Sequence, residues 1–230
     1  MLFYSKKGKF HRQNRLECAD RAKWSEMGGK TIIALGDGVS TCECGDIGAE
    51  LATGYAVDFL VSQYHRLQFL PKNWPYLMVR KVRSQLEEYA AYNGKNLIEY
   101  STTLLVAIID RDENVIHFSN IGDGMMLGIQ SQCCKILSSP TREIEGCPTI
   151  TTENIEKAVS AQTVSLNGIR DIMLCTDGTW TQIYNNQKLD PSVKQELLKA
   201  EYDRFTFRIQ QADNTDDSCF VIIDGDRSVA

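Results

Sequence analysis

The sequence contains four Asp-Gly pairs, each of which lies close behind a run of apolar residues. The first closes the segment TIIALGDG at Gly38, and the others are Asp123-Gly124, Asp177-Gly178 and Asp224-Gly225. With 16 Asp and 16 Gly in 230 residues, chance predicts about one such pair. The excess raises the question of whether these pairs are ordinary turns or whether several of the carboxylates hold a ligand.

Carboxylates at the ends of different strands can be brought together at one edge of a sheet. Asp37 and Asp177 would then converge, with Asp213 or Asp216 from the segment DNTDD that precedes the last apolar run. Like charges this close repel one another and raise their own pKa values unless cations neutralise them. Oxygen ligands of this kind suit Mg²⁺ or Mn²⁺, and two such ions about 4 Å apart can clamp a phosphoryl group for in-line displacement.

Each single Asp-Gly pair also has a structural interpretation, because this dipeptide is common in turns. Asp224-Gly225, which follows the last apolar run near the C-terminus, takes that interpretation here. His11, His65 and His117 are scattered along the chain, so their spacing supports neither a histidine metal site nor a Ser-His-Asp triad. We expect His117 to be partly buried within a strand.

The elements that must position these acids are predicted from hydrophobic periodicity. Short β-rich runs that end in turn residues predict strands at Thr31–Leu35, Thr102–Ile109, Val115–Asn120, Met125–Ile129, Asp171–Cys175 and Cys219–Ile223, with weaker candidates at Cys133–Leu137 and near Lys157–Leu166. The polar segment DRDEN predicts a hairpin between the second and third of these strands. Helical spacing predicts three helices: residues 46–67 with Asp46 as the cap, Pro75 to Asn93-Gly94, and Pro191 to Leu198 with Asp190 as the N-cap.

This order of elements predicts one α+β domain over residues 1–230, with antiparallel sheets covered by helices. The net charge of -5 gives no electrostatic support for binding nucleic acid or an anionic membrane. No apolar run approaches the ~20 residues that span a bilayer, and the N-terminus lacks the apolar centre of a secretory signal. The expected location is therefore the cytoplasm.

The eight cysteines are expected to be reduced and mostly buried. Cys175 and Cys219 lie in or beside apolar runs, where a thiol acts as a small hydrophobic side chain. Cys42-Glu43-Cys44 and Cys133-Cys134 lack the two-residue spacing of paired zinc ligands. The cysteine pattern therefore favours neither structural zinc nor disulfides.

Taken in order, the motifs resemble the metal-dependent protein phosphatase 2C family, in particular its compact bacterial members. The resemblance extends over roughly residues 10–224. It rests on ordered segments: RLECAD from Arg15 to Asp20, DGVS from Asp37, Gly48-Ala49, STTLL from Ser101, IGDG from Ile121, LCTDGTW from Leu174 and DDSC from Asp216. Each segment alone is a weak signal, but the ordered set is specific.

The resemblance implies an αββα sandwich, two antiparallel sheets flanked by helices, with a metal site in a cleft at one sheet edge. It implies hydrolysis of phosphoserine or phosphothreonine in proteins by a metal-bridging hydroxide, without a covalent phosphoenzyme. Two Mn²⁺ or Mg²⁺ ions would bind, and a third ion would bind more weakly. The expected protein is a cytoplasmic signalling monomer whose partner is a phosphorylated protein substrate.

The same resemblance implies the ligands of the first ion. Asp37 would bridge the two ions, with the carbonyl of Gly38 as a further ligand. Asp177 and Asp216 would complete the protein ligands of the first ion.

The remaining roles also follow from the resemblance. Asp20 would support the second ion, mainly through water, and Asp123 would help to hold the third. Arg15 would receive the substrate phosphate as a planar fork of donors, which a lysine would match poorly.

Two departures from the family pattern and one ambiguous motif bear on the site. Ala19 stands where the family usually has Glu or Gln, so a water-mediated contact to the second ion would be lost and metal affinity lowered. Val39 stands where many eukaryotic members carry a candidate acid histidine, which bacterial members also lack. Counting back from the strand Phe220–Ile223 selects Asp216 as the last ligand, whereas the literal Asp-Asn pair selects Asp213.

Two other functions compete with a protein phosphatase. Ala19 favours a pseudophosphatase that binds without efficient turnover, whereas retention of Arg15, Asp37, Asp123 and Asp177 opposes it. A phosphatase of a small phosphorylated metabolite is the other alternative, but the sequence has no sugar- or nucleotide-pocket signature.

Overall fold

The computed structural model describes residues 1–67, 70–140, 146–157 and 159–225. The strands are β1 Leu2–Lys6, β2 Asp20–Met27, β3 Lys30–Asp37, β4 Leu104–Asp110, β5 Val115–Ile121, β6 Met125–Gln130, β7 Cys134–Ser138, β8 Ser160–Ser165, β9 Ile169–Cys175, β10 Tyr184–Asn185, β11 Lys188–Leu189 and β12 Ser218–Asp224. The helices are α1 Lys9–Asn14, α2 Gly45–Leu67, α3 Trp74–Tyr92, α4 Asp177–Ile183, α5 Pro191–Leu198 and α6 Tyr202–Gln211, with 3-10 turns at Leu97–Tyr100 and Ile155–Lys157.

Two five-stranded sheets form the centre of the protein. One has the strand order β1-β12-β9-β6-β7, and the other has the order β2-β3-β4-β5-β8. Neighbouring strands in both sheets are antiparallel. β10 and β11 form a separate small hairpin.

The strand pattern explains how the layers stack, because successive side chains point to opposite faces of a sheet. In β3, Ile33 and Leu35 pack between the two sheets. Ile32 and Ala34, on the other face, pack against the helical layer that contains α2 and α3. Burial on both faces is why this strand reads as an unbroken apolar run.

The second sheet is covered in the same way. Leu174 and Val221 face the inter-sheet core, whereas Met173 and Phe220 pack with Phe205 and the other apolar residues of the layer formed by α4, α5 and α6. Helix, sheet, sheet and helix therefore follow one another, which confirms the expected αββα sandwich.

The predicted strands are confirmed, with ends that agree to within three residues. β4 begins at Leu104 rather than Thr102, because Thr102 forms only an isolated bridge with Gly38 and its hydroxyl donates to the Asp37 carbonyl at 2.9 Å. The weak candidate near Lys157–Leu166 corresponds to β8, although residue 158 lies outside the described residues. The hairpin between β4 and β5 is present.

The three predicted helices are also confirmed, with one correction. Asp190 caps α5 by accepting from the backbone N–H groups of Ser192 and Val193. Asp46, however, is not an N-cap, because α2 already begins at Gly45. A Cβ on Gly45 would lie 2.5 Å from the Val39 carbonyl oxygen, so a tight turn enters the helix one residue earlier than predicted.

Two expectations about buried residues have different outcomes. All eight cysteines are free, but only Cys44, Cys175 and Cys219 are buried, so "mostly buried" was wrong. The other thiols lie on loops and edge strands, where packing is incomplete. His117 is half-buried within β5, as expected. None of the helices in the described ranges combines the length and apolar character needed to cross a membrane.

Candidate metal centre

The ends of four segments bring acidic side chains to one edge of the sandwich. Asp20, the first residue of β2, lies opposite Asp37, the last residue of β3. Asp177 follows β9 and begins α4, and Asp216 lies two residues before β12, which pairs with β9. Antiparallel pairing therefore places these acids together, although they are up to 196 residues apart in the sequence.

The backbone of Asp37 is fixed by two threonines that directly precede β4. The Asp37 N–H donates to the Thr103 hydroxyl at 3.1 Å, and the Asp37 carbonyl accepts from the Thr102 hydroxyl and the Thr103 N–H. The side chain of Asp37 is close enough to that of Asp177 for the two groups to act on each other's pKa. The two acids that the sequence predicted to converge are thus neighbours.

The electrostatics of the cluster follow from this crowding. Burial, and then the charges of the neighbouring carboxylates, raise the pKa values of Asp20 and Asp37 well above the ordinary aspartate value. Burial together with Asp216 and Asp123 raises the pKa of Asp177 to about 6, although bonds from Asp37 and the Gly178 N–H act in the opposite direction. The pKa of Asp216 is raised as well, chiefly by burial.

Two carboxylate oxygens in the cluster fit a divalent cation. The Thr176 hydroxyl donates to Asp20 Oδ2 at 2.8 Å, which leaves buried Asp20 Oδ1 without a hydrogen-bond partner among the described residues. Asp177 Oδ1 is likewise buried and without a partner in the described part of the chain. Unpaired anionic oxygens are the donors that Mg²⁺ and Mn²⁺ prefer.

The described residues contain no group of three or more His, Cys, Asp or Glu side chains already spaced to enclose a metal ion. The cluster thus supplies oxygen donors that suit a divalent cation, without the described side chains already enclosing one.

Glycines allow the backbone to approach closely around the cluster. A Cβ on Gly38 would lie 2.2 Å from the Gly45 carbonyl oxygen. The N–H of Gly38 donates to the Ala19 carbonyl at 3.2 Å. A Cβ on Gly178 would lie 1.7 Å from the Asp217 carbonyl oxygen. These Asp-Gly pairs are therefore more than turns, since each glycine fits against another segment of the site.

Asp123 lies at the rim of the cluster, where its charge acts on Asp37 and Asp177. The indole N–H of Trp180 donates to the Asp123 carbonyl at 2.7 Å, so α4 holds this turn in place. The thiol of Cys147 is hydrogen-bonded with Asp123. Asp123 is thus in the neighbourhood that the sequence predicted.

The structure separates Asp216 from Asp213. Asp216 is half-buried, and its charge acts on Asp20, Asp37 and Asp177. The Asp213 side chain is 75% exposed and faces Lys9 at 3.9 Å. The count back from the last strand therefore selects the acid that lies in the cluster, because strand alternation sets where a nearby side chain points.

Ala19 directly precedes Asp20, and Arg15 lies five residues before Asp20 in the chain. Arg15 is exposed and ends α1 in the left-handed conformation, at φ 57°. No side-chain hydrogen bond or ion pair of Arg15 occurs within the described ranges. Ala19 is buried, and its N–H donates to Asp217 Oδ2 at 2.5 Å.

Sequence reasoning missed a buried pair that joins the N-terminal segment to the last acidic motif. Asp217 Oδ1 accepts from the Gly8 N–H at 2.6 Å and lies 2.9 Å from Nδ1 of His11. With the bond from Ala19, Asp217 thus fixes the chain on both sides of Arg15. The sequence offered only a weak signal for this pair. Asp217 is the second acid of DDSC, and His11 lies in the basic segment KKGKFHRQNR of residues 6–15.

Comparison with solved structures shows the same fold. A bacterial serine phosphatase shares 17% identity at a TM-score of 0.73, covering 100% of this chain and 98% of that chain. The serine/threonine phosphatase Stp1 from Staphylococcus aureus shares 17% identity at a TM-score of 0.73, covering 97% and 93%. RsbX, solved in complex with magnesium, shares 10% identity at a TM-score of 0.63, covering 96% and 92%.

No curated protein matches the chain by sequence. The family model described as protein phosphatase 2C matches residues 7–211, which includes α1 and extends through α6. This match covers most of the chain and contains Asp20, Asp37, Asp123 and Asp177. The chain therefore belongs to the protein phosphatase 2C family.

Proposed function

We propose that the carboxylate cluster hydrolyses phosphoserine and phosphothreonine in proteins. As a member of the protein phosphatase 2C family, the chain is a metal-dependent serine/threonine phosphatase. Neither the family match nor the structural relatives favours a pseudophosphatase or a phosphatase of small metabolites. The observation that carries the site proposal is the proximity of Asp37 and Asp177 beside unpartnered oxygens of Asp20 and Asp177.

The proposed ligands of the first ion are the carboxylates of Asp37, Asp177 and Asp216. Asp37 would also serve the second ion, and the Gly38 carbonyl would be a further ligand. Asp20 supports the second ion, and its orientation is set by the Thr176 hydroxyl. When bound, divalent cations supply Lewis acidity and lower the pKa of water.

A third and weaker ion is proposed at Asp123. Its support is the position of this carboxylate at the rim of the cluster, on a turn that the Trp180 indole holds. Two ions of Mn²⁺ or Mg²⁺ at the main site remain part of the proposal, since the family is metal-dependent.

The chain's own residues bind and orient the substrate. Arg15 offers a planar, permanently charged fork to the phosphate oxygens. Its position is set by the contacts of Asp217 with Gly8, His11 and Ala19, which hold α1 and the start of β2 against the Asp216 loop. Substrate phosphate is thereby placed next to the acids without a covalent bond to the protein.

Wider properties are also proposed. The whole chain, residues 1–230, acts as one catalytic domain, since β1 and β12 pair with each other although they lie outside the matched range. We propose a cytoplasmic monomer that acts on phosphorylated protein partners, on the basis of the family's substrate class.

Hydrolysis of p-nitrophenyl phosphate and of a phosphothreonine peptide tests the proposal. Turnover should require Mn²⁺, disappear with chelator, and fall at least about 100-fold in Asp37→Asn and Asp177→Asn. Asp58→Asn, an exposed change on α2, is the matched control and should retain activity. Folded protein without metal-dependent turnover of either substrate would contradict the function.

A further inference from the structure

A strongly basic segment lies next to the metal centre. Residues 6–15, KKGKFHRQNR, carry five lysine or arginine side chains and no acidic residue, although the chain has a net charge of -5. Lys6 and Lys7 have close partners outside this segment, and Arg12 Nη1 donates to the Lys7 carbonyl at 2.6 Å within it. Lys6 Nζ donates to the Gln210 carbonyl at 2.8 Å, and Lys7 Nζ lies 3.1 Å from Glu17 Oε2.

The other three cations, Lys9, Arg12 and Arg15, are exposed and incompletely neutralised. Asp213 is the shared carboxylate of Lys9 and Arg12, at 3.9 and 4.0 Å, which is long for an ion pair at the surface. The pKa of Lys6 is lowered by burial and then by the charge of Arg12, which is consistent with residual positive potential at this face.

Backbone contacts fix this face beside the acids. The N–H groups of Lys9 and Phe10 donate to the Asn214 and Thr215 carbonyls at 2.9 and 3.0 Å. These carbonyls belong to the loop that carries Asp216. Asp213 and Asp216 are three residues apart, so their Cα atoms are separated by at most about 10 Å. Three residues of an extended substrate peptide would span the same distance.

We propose that Lys9 and Arg12, continuing from Arg15, bind the acidic flank of the substrate. The substrate class is then a phosphoprotein segment with Asp or Glu about three positions from the hydrolysed phosphoresidue. This inference rests on the proposed phosphatase function and adds a sequence preference to it. A substrate carboxylate would bind next to Lys9 and Arg12, where the carboxylate of Asp213 now lies.

The two cations face Asp213 from the same side of α1, so one acidic substrate residue can contact both. Such exposed pairs act mainly on association and KM, and they weaken as salt rises. Turnover of a small phosphate ester, which has no flank, therefore serves as the internal reference for every variant.

Matched phosphothreonine peptides with Glu or Gln at the third position before or after the phosphoresidue test this inference. The measured quantity is kcat/KM for each peptide divided by kcat/KM for p-nitrophenyl phosphate, with Mn²⁺ present. For the wild-type protein, one Glu peptide should exceed its Gln partner about fivefold at low salt, and the preference should shrink in about 0.5 M NaCl.

Charge variants should change the preference in opposite directions. Lys9→Glu/Arg12→Glu should abolish it, whereas Asp213→Asn should raise it about twofold. Lys188→Glu/Lys199→Glu changes the net charge equally at exposed residues outside α1, and it should leave the preference intact.

Fluorescence anisotropy of the labelled Glu peptide, read with Mn²⁺-loaded protein, repeats the comparison without requiring turnover. Equal affinities of the wild-type protein for the Glu and Gln peptides would overturn the docking surface. An equal loss of the Glu preference in both double variants would also overturn it. Displacement of the peptide by a short oligothymidylate at the same concentration would reassign the surface to nucleic acid and also overturn it. Absence of metal-dependent p-nitrophenyl phosphate turnover would instead contradict the phosphatase function itself.

Discussion

Asp37 and Asp177 are neighbours in the cluster, so their carboxylates repel each other when both are ionised. Burial and the neighbouring acids raise the pKa values of both groups, and protonation relieves the repulsion in the absence of cations. A divalent cation would relieve the same repulsion by taking the place of a proton. Protonation and metal binding are therefore alternatives at these side chains, and metal affinity should rise with pH.

Asp216→Asn and Asp213→Asn should behave differently. Loss of Asp216 removes a charged oxygen from the cluster, so Mn²⁺-dependent p-nitrophenyl phosphate turnover should fall at least about 100-fold. Asp213→Asn should stay within about twofold, because its side chain faces Lys9 and Arg12 at the surface. Isothermal titration with Mn²⁺ on both variants measures the affinity directly, and equal losses would contradict the assignment of Asp216.

Asp177→Asn should stabilise the metal-free protein at neutral pH. The folded pKa of about 6 lies above the ordinary value near 4, so the stabilising contribution of this carboxyl is complete below pH 4. It is lost as the pH rises through about 6. With chelator at pH 7.5, the variant should gain about 1–2 kcal/mol in unfolding free energy after discounting for solvent screening.

The difference in unfolding free energy between Asp177→Asn and the wild-type protein should shrink towards pH 4.5, where the wild-type carboxyl is protonated. Thermal melts across this range measure it, and Asp58→Asn is the surface control. An Asp177→Asn variant that melts below wild type in chelator at pH 7.5 would contradict the repulsion in the cluster. Added Mn²⁺ should reverse the order of the two proteins.

At the residue scale, the sequence predicted the acids that follow apolar runs. Asp37 and Asp177 could be placed because strand ends are visible in hydrophobic periodicity. The contact between His11 and Asp217 could not be predicted, because it joins residues 206 positions apart and neither has a periodic pattern around it.

At the scale of elements, the loop before β12 is enclosed by two glycines. A Cβ on Gly8 would lie 2.2 Å from the Asp216 carbonyl carbon, and one on Gly178 would lie 1.7 Å from the Asp217 carbonyl oxygen. The first turn of α4 and the segment before α1 therefore fix the Asp216 loop from opposite sides. The position of the Asp216 carboxylate therefore depends on how the two glycines pack against this loop.

Gly178→Ala should therefore displace the Asp216 loop. We expect a loss of about 2–4 kcal/mol in unfolding free energy and at least tenfold weaker Mn²⁺ binding, because backbone must move to admit the methyl group. Gly54→Ala, within α2 with no atom within 4 Å of the added Cβ, is the control and should stabilise by up to about 1 kcal/mol. Urea unfolding and calorimetric titration measure the two effects.

Sequence reasoning missed the edge strands β1 and β2, the short β10–β11 hairpin, the short helices α1 and α4, and the ten-residue helix α6. β1 and β2 are edge strands with mixed exposure, so they lack the apolar run that identified β3 and β4. α1 and α4 have six and seven residues, too few to show helical periodicity. The segment around Arg15 was therefore identified by motif but left without a structural context.

At the scale of the whole molecule, the carboxylate cluster draws on both sheets. Asp20 and Asp37 belong to one sheet, while Asp177 and Asp216 flank strands of the other. Ions bound there would link the two halves of the sandwich. The α+β class followed from the order of predicted elements, but the four-layer stacking came from the family resemblance, because periodicity does not specify which strands share a sheet.

Mn²⁺ should therefore stabilise the entire fold. At a free concentration about 100 times the dissociation constant, linkage gives about 2.7 kcal/mol per site, or a rise of about 5–10 °C in Tm for a protein of this size. Asp37→Asn should lose most of the rise, whereas Asp58→Asn should retain it. An equal rise in both variants would indicate that the ion stabilises the protein elsewhere.

The most direct test of the central claim is an anomalous difference map from crystals grown with Mn²⁺, recorded on both sides of the manganese absorption edge. We expect at least one manganese peak in contact with the carboxylates of Asp37 and Asp177, with Asp216 in the same coordination sphere. The proposed metal centre would be contradicted if the carboxylates of Asp37 and Asp177 pointed away from each other with no manganese peak between them. The crystals for this test must contain protein that shows Mn²⁺-dependent turnover.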